Sequence, residues 1–144
     1  MLWVLASVSL VVGLALGSFV NVVVYRLPRG ISVSRPRRSF CPACHTTIAA
    51  RDNLPVVSWL VLSGKCRNCG TTISPRYPLI EGATGLLLAC LAVALWPALR
   101  PDPGEGLSAV ALVLLVFSEL ALVAAECALL LAVEAARIRS SRDP

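Results

Sequence analysis

Three long apolar stretches dominate the chain, separated by one extended basic segment and one short polar turn. Leu2 to Tyr25 is 24 residues without a formally charged side chain. Leu79 to Leu99 is 21 residues whose single charge, Glu81, lies near one end. Leu107 to Val133 is the third stretch, interrupted by Glu119 and Glu126. A helix that crosses a bilayer needs about 20 apolar residues, so all three are long enough. In hydrocarbon the backbone must satisfy its own hydrogen bonds, which predicts a helix for each. The expected fold is a membrane protein of three transmembrane α-helices with a small cytoplasmic zinc-ribbon-like module between the first and second. The expected boundaries are helix 1 over 1–25, the module over 26–78, helix 2 over 79–99, helix 3 over 107–136 and a cytoplasmic basic tail over 137–144.

Composition agrees with that pattern. Of the 144 residues, 57% are hydrophobic and 15% charged, more apolar surface than a soluble domain of this size could cover. The first stretch differs from a cleavable signal, because its positive charges, Arg26 and Arg29, follow the apolar residues instead of preceding them. It is expected to be a retained anchor. Charge then sets the orientation. Arg26 to Tyr77 holds nine basic side chains against Asp52, a net of +8. The turn between the second and third stretches carries Arg100, Asp102 and Glu105, a net of −1, and the tail carries Arg137, Arg139, Arg142 and Asp143, a net of +2. Lys and Arg accumulate on the cytoplasmic side, so the N-terminus is expected outside and the Cys-rich segment inside. The same rule, with contact to anionic lipid, accounts for the basic charge without invoking nucleic acid.

Four cysteines change the picture most. Cys41-Pro42-Ala43-Cys44 and Cys66-Arg67-Asn68-Cys69 are two Cys-x-x-Cys pairs at a spacing that suits one tetrahedral zinc ion. Cys44-His45-Thr46-Thr47-Ile48 is echoed by Cys69-Gly70-Thr71-Thr72-Ile73, so each half is expected to be a metal-binding turn followed by a short strand. A module of about 50 residues with few apolar side chains needs a staple, and in a reducing cytoplasm zinc serves better than disulfides. Four thiolates around Zn²⁺ leave no open coordination position, which argues for a structural ion and against hydrolysis at the metal. Cys41-x-x-Cys44-His45 also matches c-type haem attachment, but that would leave Cys66 and Cys69 without a role. His45 sits where the second knuckle has Gly70, at a position suited to positive φ.

Leu54 to Leu62 joins the knuckles and is too short to span. It is expected either to form the module's own small core as a strand or turn, or to dock at the membrane interface through Trp59. Gly13, Gly17 and Asn21 mark a stripe for close helix packing and an interhelical hydrogen bond. Glu119 and Glu126, seven residues apart, return to nearly the same helix face. They form either a polar seam between helices or a site that handles protons or a substrate amine. Glu134 lies near the basic end and is expected to reach the interface, while Glu81 is placed to pair with Arg76 or to act on an amine. Cys90 and Cys127 fall inside apolar stretches, where a lone thiol behaves as a small apolar group.

Several motifs coincide in order and spacing with those of one family. They are Gly17-Ser18-Phe19-Val20-Asn21 through Tyr25-Arg26-Leu27-Pro28, the two Cys-x-x-Cys pairs, Asp52-Asn53-Leu54-Pro55-Val56-Val57-Ser58-Trp59-Leu60, and Ile73-Ser74-Pro75-Arg76-Tyr77-Pro78-Leu79-Ile80-Glu81. Over about Gly13 to Leu88 the chain resembles the N-terminal domain of prepilin leader peptidase/N-methyltransferases. The resemblance implies a bacterial inner-membrane protein of type IV pilus or type II secretion. Such enzymes cut prepilins at the cytoplasmic face and methylate the new N-terminus with S-adenosylmethionine.

The chain departs from that family in its acids. The family's peptidase half uses two membrane aspartates, one in Gly-x-Gly-Asp; here no Gly-x-Gly-Asp occurs, and the aspartates are Asp52, Asp102 and Asp143. Paired-carboxylate proteolysis needs two acids sharing a proton at close range. The expectation is therefore an N-terminal module without the peptidase pair. It would support prepilin methylation or complement a separate peptidase chain, with prepilin, that chain and lipid as partners and no nucleic acid. The competing expectations are a non-enzymatic zinc module that binds a partner protein, and a truncated, inactive relic. No residue is assigned as catalytic; Glu81, Glu119 and Glu126 are the candidates, and Cys41, Cys44, Cys66 and Cys69 are the expected metal ligands.

Overall fold

The computed structural model describes residues 1–35, 38–99 and 108–141. Arg37, Arg100, Asp102, Glu105, Arg142 and Asp143, used above in the charge argument, lie outside the described residues. Among the described residues four α-helices form in chain order: α1 (Leu2–Arg26), α2 (Val57–Val61), α3 (Arg76–Leu99) and α4 (Ala109–Ser140). Among them α1, α3 and α4 are long and apolar enough to cross a membrane. The protein is a three-helix membrane protein with the Cys-rich module between α1 and α3.

α1 runs antiparallel to α3 in a register fixed by small residues. A Cβ on Gly13 would lie 2.7 Å from the Gly85 Cα, and one on Gly17 would lie 2.8 Å from the Glu81 Cα. One turn further, Asn21 Nδ2 donates to the Tyr77 carbonyl at 3.2 Å. These pairs step along both helices together, and the two backbones touch wherever glycine allows it. On α1 the buried residues Ser9, Gly13, Gly17, Val20, Asn21 and Val24 recur every three or four positions, so they occupy one face.

α4 lies parallel to α1 and antiparallel to α3, and polar contacts punctuate its seam. Ser9 Oγ donates to Glu119 at 2.6 Å. Thr84 Oγ1 contacts both carboxylate oxygens of Glu126 at 2.9 and 2.8 Å. Glu134 joins Arg29 and Arg76 at 2.8 Å each. Apolar clusters fill the two ends of the bundle. Ala92, Leu99, Ala111 and Leu115 pack with Leu5 and Leu95 at one end. Val20, Val24 and Ile80 pack with Val123, Cys127, Leu130 and Leu131 at the other.

Three local expectations are corrected. Each knuckle is followed by a single β-bridge, Phe40–Thr47 and Lys65–Thr72, and not by a strand. Neither half has a neighbouring strand to extend the ladder, and two-residue pairings close the turn on their own. Leu54 to Leu62, expected either as a strand or turn of the module's own core or as a segment docked at the membrane interface, contains a short helix, α2. Arg76 pairs with Glu134 and not with Glu81. Glu81 turns instead toward the module and accepts the Val56 N–H at 2.7 Å.

Candidate metal centre and the adjoining cavity

The two knuckles are geometric copies. In the first, Cys41 N–H donates to the Thr46 carbonyl at 3.0 Å and His45 N–H to the Cys41 carbonyl at 2.8 Å. In the second, Cys66 N–H donates to the Thr71 carbonyl at 2.8 Å and Gly70 N–H to the Cys66 carbonyl at 2.9 Å. The turn demands positive φ after the second cysteine, and His45 and Gly70 adopt 56° and 71°. Outside each turn, Ile48 N–H reaches the Ser39 carbonyl and Ile73 N–H the Gly64 carbonyl, at 2.9 and 2.7 Å. Each copy thus aims two sulfurs at the other.

The Sγ atoms of Cys41, Cys44, Cys66 and Cys69 all lie within 4.8 Å of one another. Cys41 and Cys69 are 3.9 Å apart. Zn–S bonds of about 2.3 Å in a tetrahedron place sulfurs about 3.8 Å apart, so the donor set fits a zinc-sized ion with little rearrangement. Asn68 ties the knuckles together, with Nδ2 3.6 Å from Cys44 Sγ and 2.9 Å from Thr46 Oγ1.

Cys44, Cys66 and Cys69 do not titrate alike. Thr46 hydroxyl and backbone hydrogen bonds, with help from Asn68, pull Cys44 down to about 5. The amides of Cys69 and Asn68 lower Cys66. Cys69 is drawn down by the Thr71 amide, but lost hydration and the three neighbouring cysteines together push it up to about 11. Sulfurs this close cannot all hold charge unaided, and a dication at the centre removes the conflict. His45 is exposed, off the cluster and loosely stacked on Phe40 with centroids 6.3 Å apart. With all four sulfurs converging, the haem-type use of Cys41 and Cys44 has no support.

Charged side chains fasten the module to itself and to the helices. Arg67, inside the second knuckle, forks onto Asp52 in the linker at 2.7 to 3.1 Å. That pairing holds the Asp52 carboxyl below the usual carboxylate range. Arg26, buried at the end of α1, donates to the carbonyls of Ser32, Val33 and Arg38 and lies 5.9 Å from the Phe40 ring centroid. Trp59 Nε1 donates to the Ile73 carbonyl at 3.0 Å, clamping α2 to the second knuckle.

Between the module and the adjacent ends of α1 and α3 lies a cavity of about 600 Å³. Asn21, Tyr25 and Glu81 line it from the helices, and Cys41, Asp52, Trp59 and Cys66 from the module. Of the three carboxylate candidates Glu81 reaches it; Glu119 and Glu126 lie in the α4 seam, engaged by Ser9 and Thr84. Two turns of helix separate Glu119 from Glu126, about 10 Å along the axis. That is too far for two carboxyls to share one proton, which needs about 3 Å. The sequence reasoning missed Ser9, Thr84, Arg26 and Asn68. Hydroxyls inside an otherwise apolar stretch were the available signal for the first two; no local signal marks the others.

The family model for the bacterial peptidase A24 N-terminal domain matches residues 11–95, more than half of the chain. The chain belongs to that family. The matched region runs from within α1 through the cysteine module and nearly to the end of α3, leaving α4 outside. A prepilin leader peptidase/N-methyltransferase of Myxococcus xanthus is 54% identical over 82 residues, covering 56% of this chain and 24% of that protein. One from Klebsiella pneumoniae is 50% identical over 91 residues, covering 59% and 40%. One from Dickeya chrysanthemi is 37% identical over 150 residues, covering 89% and 50%. The chain thus spans between a quarter and a half of the length of these A24 relatives. No solved structure matches.

Proposed function

We propose that this A24 N-terminal domain is a bacterial inner-membrane module of prepilin processing, with its cysteine module in the cytoplasm. The module is stapled by a structural zinc ion on Cys41, Cys44, Cys66 and Cys69, and the cavity beside it serves N-terminal methylation of a cleaved prepilin. The observation that carries this reading is the position of Glu81. Its Oε2 accepts the Val56 N–H, while the residue lines the cavity together with Asn21. An N-terminal amine has a pKa near 8 and reacts only as the neutral base. Glu81 would accept a hydrogen bond from that amine, orient its lone pair and receive its proton. S-adenosylmethionine, when bound, supplies the methyl group; a cavity of this size is in the range of small-molecule sites, and Trp59, Tyr25 and Asp52 offer aromatic and anionic contacts for a cationic ligand.

Peptidase chemistry is not assigned to these residues. The acids of α4 are each engaged by a hydroxyl or a pair of guanidinium groups and are too far apart to share a proton. Leader cleavage would then come from residues outside this region, in a peptidase domain or a separate peptidase chain. The test is methyl transfer from labelled S-adenosylmethionine to a cleaved prepilin peptide by the zinc-loaded chain, with and without an added peptidase. Glu81→Gln keeps an oxygen acceptor for Val56 N–H, so it should retain zinc and lower the turnover. No methyl transfer by zinc-replete protein under both conditions would refute the methylation reading.

A further inference from the structure

α2 carries a surface that its fold leaves uncovered. Leu54, Val57, Leu60 and Val61 are 54%, 53%, 62% and 71% exposed, while Trp59 and Ser58 on the opposite side hold the helix to the module. A five-residue helix with three outward apolar side chains, continued by Leu54 just before it, has no reason to exist in water.

Its depth explains it. Val56 packs beside Gly82, its Cγ2 4.0 Å from where a Cβ there would stand, and its amide is held by Glu81. Gly82 lies six residues into α3, about 9 Å from its start. The 24 residues of α3 make about 36 Å of helix against a hydrocarbon core of about 30 Å, so Gly82 sits below the headgroup boundary. Leu79 and Leu86, one turn either side of Gly82 on the same helix face, are 68% and 61% exposed and flank the point where α2 meets α3. The apolar patch of α2 therefore continues the lipid-facing surface of α3.

The backbone gives independent support. Segments in hydrocarbon must satisfy their amides internally. Leu54 N–H donates to Ser58 Oγ at 2.8 Å, Val56 N–H to Glu81 and Ser58 N–H to the Leu54 carbonyl at 3.0 Å. Val57 N–H closes a γ-turn onto the Pro55 carbonyl at 2.6 Å. That turn forces Val56 to φ 61°, ψ −51°, a strained position for a β-branched residue. Such strain is tolerated where leaving the amides unpaired would cost more. Exposed Arg51 and Lys65 flank the patch along the chain, placed for anionic headgroups.

We propose that α2 is an interfacial element: Leu54, Val57, Leu60 and Val61 insert into the leaflet on the module side and seat the metal module on the bilayer. The test uses the full chain, zinc-loaded, in nanodiscs of phosphatidylethanolamine and phosphatidylglycerol. A benzophenone amino acid is placed in turn at Val57, Leu60 and Val61. Leu87 on α3 serves as the lipid-facing reference and Thr72 in the second knuckle as the solvent-facing one. Intact-mass spectra after irradiation read phospholipid adducts, and zinc content confirms that each variant is folded. Adducts at Leu60 and Val61 within ~2-fold of Leu87 and at least ~5-fold above Thr72 are expected for side chains at the acyl boundary. Adduct yields at the Thr72 level in zinc-replete protein would overturn the proposal, as would a predominant cross-link to a second copy of the chain. The Val57 position decides the matter if the Leu60 or Val61 variants lose zinc.

Discussion

α3 and α4 both pack on α1, yet by opposite means. Between α1 and α3 the contact is chiefly shape: Gly13 against Gly85 and Gly17 against Glu81, with backbones touching and one hydrogen bond from Asn21 to the Tyr77 carbonyl. Between α4 and its neighbours the contact is polar: Glu119 to Ser9, Glu126 to Thr84, and Glu134 to Arg29 and Arg76. Lipid tails are as apolar as side chains, so burial alone does not bring helices together in a bilayer. Close backbone approach and paired polar groups are the two remaining ways, and this protein uses one on each side of α1. The A24 match covers the shape-packed side and the metal module, residues 11–95, and leaves α4 outside. The matched region should therefore keep its form when the α4 seam is disturbed, and the reverse should not hold.

The largest disturbance is at the metal. Structural zinc contributes about 10–16 kcal/mol of apparent binding free energy to small modules, so Cys41→Ser, or a strong chelator, should melt the whole Cys-rich segment. Hydrogen exchange over 38–75 should collapse to the unprotected rate while protection in the centres of α1 and α3 persists. Next comes the shape contact. A side chain at Gly17 meets the Glu81 backbone at 2.8 Å and the Thr84 side chain at 2.9 Å, and the backbone cannot yield. Gly17→Leu should cost about 2–3 kcal/mol and separate α1 from α3. The readout is thermal stability in detergent, together with a lengthened distance between spin labels on the exposed positions Val12 of α1 and Leu87 of α3.

These two regions were also the legible ones. Cys-x-x-Cys repeated over a 25-residue offset and Gly13, Gly17 and Asn21 at one-turn intervals are local patterns, and the structure realises both. The acids were legible only as a set. Seven-residue spacing put Glu119 and Glu126 on one face, but nothing near them in sequence names Ser9 or Thr84, which arrive from 110 and 42 residues away. Glu81 shows the same limit. Arg76 is five residues from it at the same end of α3, and local pairing was a fair expectation, but α4 brings Glu134 to Arg76 and leaves Glu81 to Val56. Tertiary competition for a cation is invisible to a spacing rule.

Glu134 gives the next smaller effect. Its side chain is 6% exposed and each arginine 35%, so the ion pairs are partly screened. Removing the charge leaves two guanidinium groups that can still turn to water, and Glu134→Gln should cost about 1–2 kcal/mol, well short of a fully buried pair. Protease sensitivity at the basic end of α4 should rise while zinc stays bound and the α1–α3 label distance is unchanged. Loss of zinc in this variant would show that the seam and the module are coupled, against the division drawn above.

The smallest effect concerns pH. Metal uptake must release the protons that the free cluster retains, chiefly from Cys69 near 11, so zinc affinity falls as pH falls. The Asp52–Arg67 fork has the same sign but a lower window. Because the Asp52 pKa is depressed in the fold, its contribution is fully present above the ordinary carboxylate pKa and disappears only as pH drops through the lower, folded value. The thiolates compete with protons at higher pH than Asp52 does, so acidification should expel zinc before the fork is touched. Asp52→Asn should then leave the acid midpoint of zinc release within ~0.5 pH unit of the parent, as expected for a solvent-screened pair. A larger upward shift, followed with a chromophoric chelator, would mean that the linker and not the sulfurs sets the acid limit of the module.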